Sequence, residues 1–329
     1  MKISINTIIF FLLFFCTSNI QAKYKNDTDL SGFPLYDANA SAEDNRQLKV
    51  DSHANYRKLM SELGTVFAPS FLSPAETLGY MGYAININYG FTTINNTSTY
   101  WKDGMHGDPA SIMQTIGFDV RKGMWFPLPG FEIGAGLKYL TQSHMYAPHI
   151  MAKFSINEGY FKWPFPAIAF RGFGSRVMGS QDVDLTLVSL DLSLSKSFGL
   201  NSTVNLIPYA GFNYLMILAD SKVIDFTPGI DSLNPSQDPY TPGITCTSND
   251  CNNNLVFDDQ DMIVRNRLFA GVQVMFYKFT ITLEGVWTFG GSSTDEIAIY
   301  TGGNSVQFDK IKDKSTLQHT YTISLGWNY

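Results

Sequence analysis

The last thirteen residues of the chain, LQHTYTISLGWNY, alternate without a break. Leu317, His319, Tyr321, Ile323, Leu325, Trp327 and Tyr329 share one face, and Gln318, Thr320, Thr322, Ser324, Gly326 and Asn328 share the other. A repeat of two is that of a β-strand with one apolar face. YMGYAININYGFTT repeats the pattern, setting Met81, Tyr83, Ile85, Ile87, Tyr89 and Phe91 against Gly82, Ala84, Asn86, Asn88, Gly90 and Thr92. Further runs cover 112–126, 131–142, 147–157, 166–178, 183–198, 203–218, 264–276 and 279–289; with 79–95 and 314–329 they predict about ten strands. The apolar faces carry Ile116, Phe118 and Val120, then Phe131, Ile133, Ala135, Leu137 and Tyr139, then Ile150, Ala152, Phe154 and Ile156. In 183–198, Val188, Leu190, Leu192 and Leu194 oppose Ser189, Asp191, Ser193 and Ser195, and an apparent phase slip near Leu187 predicts a bulge. Residues 166–178 are ambiguous in phase, and Pro208 demands a bulge or irregular pairing.

The first run exceeds the mean soluble strand of about five or six residues and suits a tilted membrane-crossing strand of roughly nine to eleven residues plus extensions. Alternate connections are tight, at PLPG (127–130), EGYFKWPFP (158–166), FGLNS (198–202) and YK (277–278). On the other side three are long and polar, at 95–111, 219–263 and 290–313, while 143–146 and 179–182 are short. Transmembrane barrels show this asymmetry, with short periplasmic turns and longer outer loops. Trp125, Phe126, Phe131, Trp163, Phe165, Phe198, Phe276, Tyr277, Phe279, Trp327 and Tyr329 gather near the tight turns, as an interfacial girdle does. The C-terminal residues Tyr321, Ile323, Leu325, Trp327 and Tyr329 resemble the closing strand of bacterial outer-membrane β-barrels. That resemblance implies recognition by the barrel-assembly machinery and an all-β, antiparallel up-and-down transmembrane barrel over 79–329. Twelve strands follow if VIDF (223–226) and LVF (255–257) extend as a hairpin. A secreted soluble β protein, packing the same apolar faces on a second sheet, is the rival.

Composition narrows the classes. The chain is 44% apolar, 16% charged and 14% aromatic, with a mean hydropathy of −0.05. Apart from the extreme N-terminus, no stretch approaches the ~18 apolar residues of a spanning helix. Lys2, the apolar run Ile8 to Cys16 and the small residues before Lys23 read as a signal peptide, 1–22, cleaved after Ala22. Cleavage leaves 22 basic against 29 acidic side chains, a net charge of −7, which argues against nucleic acid as a partner. Cys246 and Cys251, in TCTSNDCNNN, predict a small loop disulfide.

Residues 23–78 do not alternate and are expected as a periplasmic N-terminal segment. Within it 52–63 predicts a helix: Ser52 suits the N-cap, Tyr56, Leu59, Met60 and Leu63 share a face, and Gly64 suits the stop. It is read either as a plug of the barrel mouth or as a linker on the periplasmic rim.

Candidate chemistry is confined to inward-facing charges. Asp119, Arg121, Glu132, Lys138, Lys153, Asp191, Arg267 and Glu284 predict a lumen charge network, which either fills a small barrel or biases ion passage through a pore. His106, His144 and His149 lie on or near the long-loop side, but no spacing matches a nucleophile motif, so no enzymatic activity is predicted. No metal or cofactor site is predicted; the acidic 219–263 loop, FDDQD included, lacks EF-hand spacing. The expected role is a narrow pore or passive small-solute transporter, a monomer among outer-membrane lipid. The alternatives are a structural or surface-recognition barrel displaying its loops, and third a barrel hydrolase.

Overall fold

Ten strands close on themselves in the computed structural model, which describes residues 23–34, 40–70, 72–157, 165–200, 203–222, 224–225, 254–255, 257, 260–301 and 305–329. The barrel strands are β1 (Tyr83–Thr93), β2 (Ile112–Met124), β3 (Phe131–Leu140), β4 (Tyr146–Ser155), β5 (Ala167–Val177), β6 (Val183–Ser195), β8 (Val204–Ser221), β11 (Ile263–Phe276), β12 (Phe279–Thr288) and β15 (Gln318–Asn328). Each pairs antiparallel with its successor, and β15 returns to β1 with Ala84 opposite Asn328 and Thr92 opposite Thr320. At the seam Tyr83 and Tyr329 exchange two main-chain hydrogen bonds of 2.8 Å. No barrel edge is left unpaired, which a wall in lipid requires.

Inward and outward faces follow the sequence alternation. Ile87, Ile150, Leu190, Ile281 and Leu325 are exposed on the outer wall, whereas Asn86, Asn88, Thr320, Thr322 and Ser324 are buried in the lumen. Trp125, Phe126, Phe165, Tyr277, Phe279 and Tyr329 crowd the tight-turn rim, exposed, and Lys278 sits 3.9 Å from the centre of the Tyr329 ring. No helix among the described residues is long and apolar enough to cross a membrane. The closed wall is apolar outside and polar within, and the protein is a β-barrel of the outer-membrane kind.

Two local expectations change. Pairing of β6 with β5 and β8 runs in register straight through Leu187, so there is no bulge. Val183, Leu185 and Leu187 break the alternation because at their level the lumen holds a helix, and apolar side chains face it. At Pro208 the register also holds, from Ser195↔Tyr209 to Phe198↔Leu206; the irregularity is a gap in the ladder between β6 and the short β7 (Phe198–Leu200). Beyond the long-loop end, β9 (Ile224–Asp225) pairs with β10 (Asn254–Leu255) as a separate two-stranded ladder, so the barrel stays at ten. A second outlying hairpin, β13 (Thr294–Thr301) with β14 (Ser305–Lys312), lies where an irregular loop was expected. The signal peptide, Trp163 and the Cys246–Cys251 disulfide fall outside the described residues.

Of the two readings of the N-terminal helix the structure matches the plug and corrects the periplasmic linker: the segment lies inside the barrel and above its long-loop rim, not beneath the tight turns. Helix α1 spans Ala42–Phe67, capped by the Ser41 hydroxyl accepting from the Asp44 amide at 3.2 Å. Ser52 caps nothing and donates to the Pro34 carbonyl at 2.6 Å. Gly64 does not end the helix; a Cβ there would lie 2.7 Å from Ile217 Cδ1, so glycine lets α1 approach β8. The helix stops before Pro69, where a proline disfavours helical geometry in the preceding residue. Tyr56, Leu59, Met60, Leu63, Val66 and Phe67 bury against Met113, Leu140, Leu185, Leu215, Ile217 and Ile263. An eight-stranded lumen is just filled by side chains; ten strands leave width for a helix, and these apolar positions line it.

Candidate functional site

The inward charges do not form one ladder across the barrel. They hold a strap, residues 68–70 and 72–82, that follows α1 down the lumen. Lys138 Nζ donates to the Ala68 carbonyl at 2.8 Å, and Lys153 Nζ donates to those of Pro74 at 3.2 Å and Glu76 at 3.0 Å. In the other direction Glu284 accepts from the Leu72 amide at 2.8 Å, the Ser195 hydroxyl oxygen from Ala75 at 3.0 Å, and Glu132 from Leu78 at 3.0 Å. Arg171 reaches the Ser73 hydroxyl at 2.7 Å. Residues without regular secondary structure cannot satisfy their own amides and carbonyls, and burial makes a missing partner costly. Charged side chains at fixed depths in the lumen replace the ladder that the strap lacks.

Around these contacts the charges also pair with one another. Glu132 meets Arg121 at 3.1 Å and Lys153 at 3.2 Å, and Asp191 meets Arg171 at 3.0 Å. Tyr209 donates to Glu284 at 2.7 Å and Arg267 to Asn213 at 2.8 Å. Asp119 binds His149 Nε2 at 2.6 Å and also takes the Asn88 amide. Of the eight predicted network residues seven are buried, and Asp119 keeps 19% of its side chain exposed. Cavities of about 20 and 10 Å³ flank Asp119 and His149, the larger large enough for a single water.

Sequence reasoning missed Arg171, because its strand was ambiguous in phase, and the network above it, which ties α1 to the loops. Glu62, fully buried, accepts from Tyr100 at 2.8 Å, Trp101 Nε1 at 2.6 Å and the amide and hydroxyl of Thr316, both at 2.8 Å. Tyr100 and Trp101 stand on the short helix α2 (Thr99–Asp103) of the first long loop. Arg57 pairs with Asp295 at 3.1 Å on β13, and Arg46 grips Asp309 on β14 at 2.8 Å. Nothing in the sequence period marks residues whose partners are loops.

At the long-loop rim residues 23–33 are clipped to three loops. Asp27 accepts four bonds, from His144 Nδ1 at 2.6 Å, the His144 amide and Ser143 hydroxyl at 2.7 Å each, and the Tyr24 amide at 2.7 Å. Asp29 pairs with His106 at 3.1 Å and Lys23 at 3.3 Å, and Lys23 reaches Asp182 at 3.0 Å. Burial alone raises both carboxyls, but hydrogen bonds from His144, Ser143 and Tyr24 on Asp27, and from Ser31 and His106 with the Lys23 charge on Asp29, hold both below 3.8. Among the described residues no group of three or more His, Cys, Asp or Glu side chains is placed to hold a metal.

No family model and no curated protein matches the chain. Solved structures similar to it include Neisserial surface protein A, at 11% identity over 75% of this chain and 95% of that one, TM-score 0.28. The outer membrane protease OmpT from Escherichia coli matches at 9% identity over 79% and 100%, TM-score 0.30. The transport unit of the autotransporter AIDA-I from Escherichia coli matches at 9% over 84% and 98%, TM-score 0.32. Likeness at that level assigns no role.

Proposed function

We propose that the protein is a closed outer-membrane barrel whose working surface is its long-loop end, a structural or surface-recognition protein rather than a narrow pore for small solutes. One observation carries this: the inner half of α1 from Tyr56 and the strap after it occupy the lumen, the strap bonded to the charges a pore would use to bias ions. Conduction requires the strap to leave, and leaving strips buried Glu132, Lys138, Lys153 and Glu284 of partners. Enzymatic activity has no support in the histidines, since both oxygens of Asp27 are taken up in the rim clip and His149 faces a water-sized space. Lipid on the apolar wall, the assembly machinery acting on Tyr321 to Tyr329, and a monomeric state belong to the same reading. Planar-bilayer recording of the purified protein tests it: a closed baseline is expected, and steady ohmic current returns the protein to the pores.

A further inference from the structure

We infer that the barrel carries its own amino-terminal segment across the outer membrane and presents it at the cell surface, with residues 23–33 outside and Gly82 at the periplasmic rim. This rests on the outer-membrane reading and fixes what its outer face displays.

The two ends of the segment lie at opposite ends of the barrel. At one end Lys23 bonds Asp182, Asn26 bonds Thr141 and Gln142, Thr28 bridges to Met105, and Asp27 holds His144. All of these partners belong to connections on the long-loop side. At the other end the chain reverses between Gly79 and Gly82, the Gly82 amide donating to the Gly79 carbonyl at 3.1 Å, and enters β1 beside Gly123, at the tight-turn end of β2. Gly79 has φ +72, and a Cβ on Gly82 would lie 2.0 Å from the Leu78 carbonyl oxygen. The reversal therefore depends on both glycines. Between the ends run the 26-residue helix, about 39 Å at ~1.5 Å per residue, and the strap. Short turns face the periplasm in barrels of this kind, so the strap's exit is periplasmic and Lys23 is outside.

Once filled, the lumen is tight. Among the described residues the gaps that flank Asp119 and His149 beside the strap are water-sized, and every barrel strand is paired on both sides. Neither helix α1 nor the clip residues fit such a gap, so the finished barrel holds the segment in place, with the chain turning back toward β1 at residues 79–82. The cargo is thus the barrel's own polypeptide, and the clip fastens it on arrival.

Single cysteines in the full chain, in a Cys16→Ser, Cys246→Ser, Cys251→Ser background, test the route with a membrane-impermeant maleimide on intact cells. Lys25→Cys and Ser31→Cys report on the segment, Lys102→Cys on the first long loop and Leu128→Cys on a tight turn; all four positions are exposed. The expected result is that Lys25→Cys and Ser31→Cys label as fully as Lys102→Cys, and Leu128→Cys only after permeabilisation. Labelling of both segment probes only after permeabilisation, with Lys102→Cys open in intact cells, overturns the threading. Leu128→Cys open and Lys102→Cys closed in intact cells overturns instead the orientation on which it rests.

Discussion

Glu132 shows what one inward charge does. It is fully buried and serves three partners at once, Arg121, Lys153 and the Leu78 amide. Glu132→Ala leaves two buried cations and an amide short of a partner, and breaking a buried ion pair costs about 3–5 kcal/mol. The temperature at which the folded gel band gives way to the unfolded one is expected to drop clearly in this variant. Arg176→Ala, which loses only an exposed pair with Asp184 at the rim, is expected to leave it unmoved. Equal shifts in the two variants would mean that burial in the lumen does not strengthen these contacts. The inward position of Glu132, Lys138, Lys153 and Glu284 is legible in the period-two pattern, since a residue flanked by Phe131 and Ile133 on the wall has only the lumen left. Their partners are not legible, because half of them are main-chain atoms of the strap and any residue type supplies those.

At the level of elements, the segment 23–33 is held by carboxylates rather than by apolar area. Folding holds the Asp27 and Asp29 carboxyls below 3.8, so their contribution is fully present above that value and fades as pH falls through the lowered folded-state values. Hydrogen exchange of amides in 24–33 is therefore expected to stay slow from neutral pH down past pH 5, and to quicken only below 3.8. Quickening already well above 3.8 would mean that groups other than these two carboxyls control the clip. Asp27→Asn retains an acceptor for the amides but loses the charge, and is expected to speed exchange in this segment at neutral pH. Helix α1 was half legible. Its apolar face at Tyr56, Leu59, Met60 and Leu63 stands out, but in its first three turns Arg46 bonds Asp309 and Val50 packs on Ile297 and Ile311 of the hairpin β13–β14, so the face does not extend there. Gly64 looks like a stop signal until the wall of β8 beside it is known. Leu187, read alone, looks like a slipped register, and only the helix opposite explains it.

For the whole molecule the question is whether strap and barrel are one unit or two. Seven side-chain contacts along the lumen tie residues 68–78 to strands from β3 to β12. Three such bonds to charged groups, at about 1.5 kcal/mol each, would by themselves hold release to roughly one molecule in a thousand. Helix α1 adds its buried face and the ion pairs of Arg46 and Arg57. Release on its own is thus disfavoured from both ends, and the barrel without its strap keeps buried charges facing a wet channel. The amides of Leu72, Ala75 and Leu78, which donate to Glu284, Ser195 and Glu132, report on this in the folded protein in detergent. As one unit, they exchange only when the barrel itself opens, at the rate of amides such as Ile87 and Leu325 in the seam. Exchange of the three well ahead of the seam would show a barrel that stays closed while its lumen clears, and would restore a gated channel. Slow exchange throughout makes strap and wall one cooperative unit, in which the lumen does not clear while the seam stays paired.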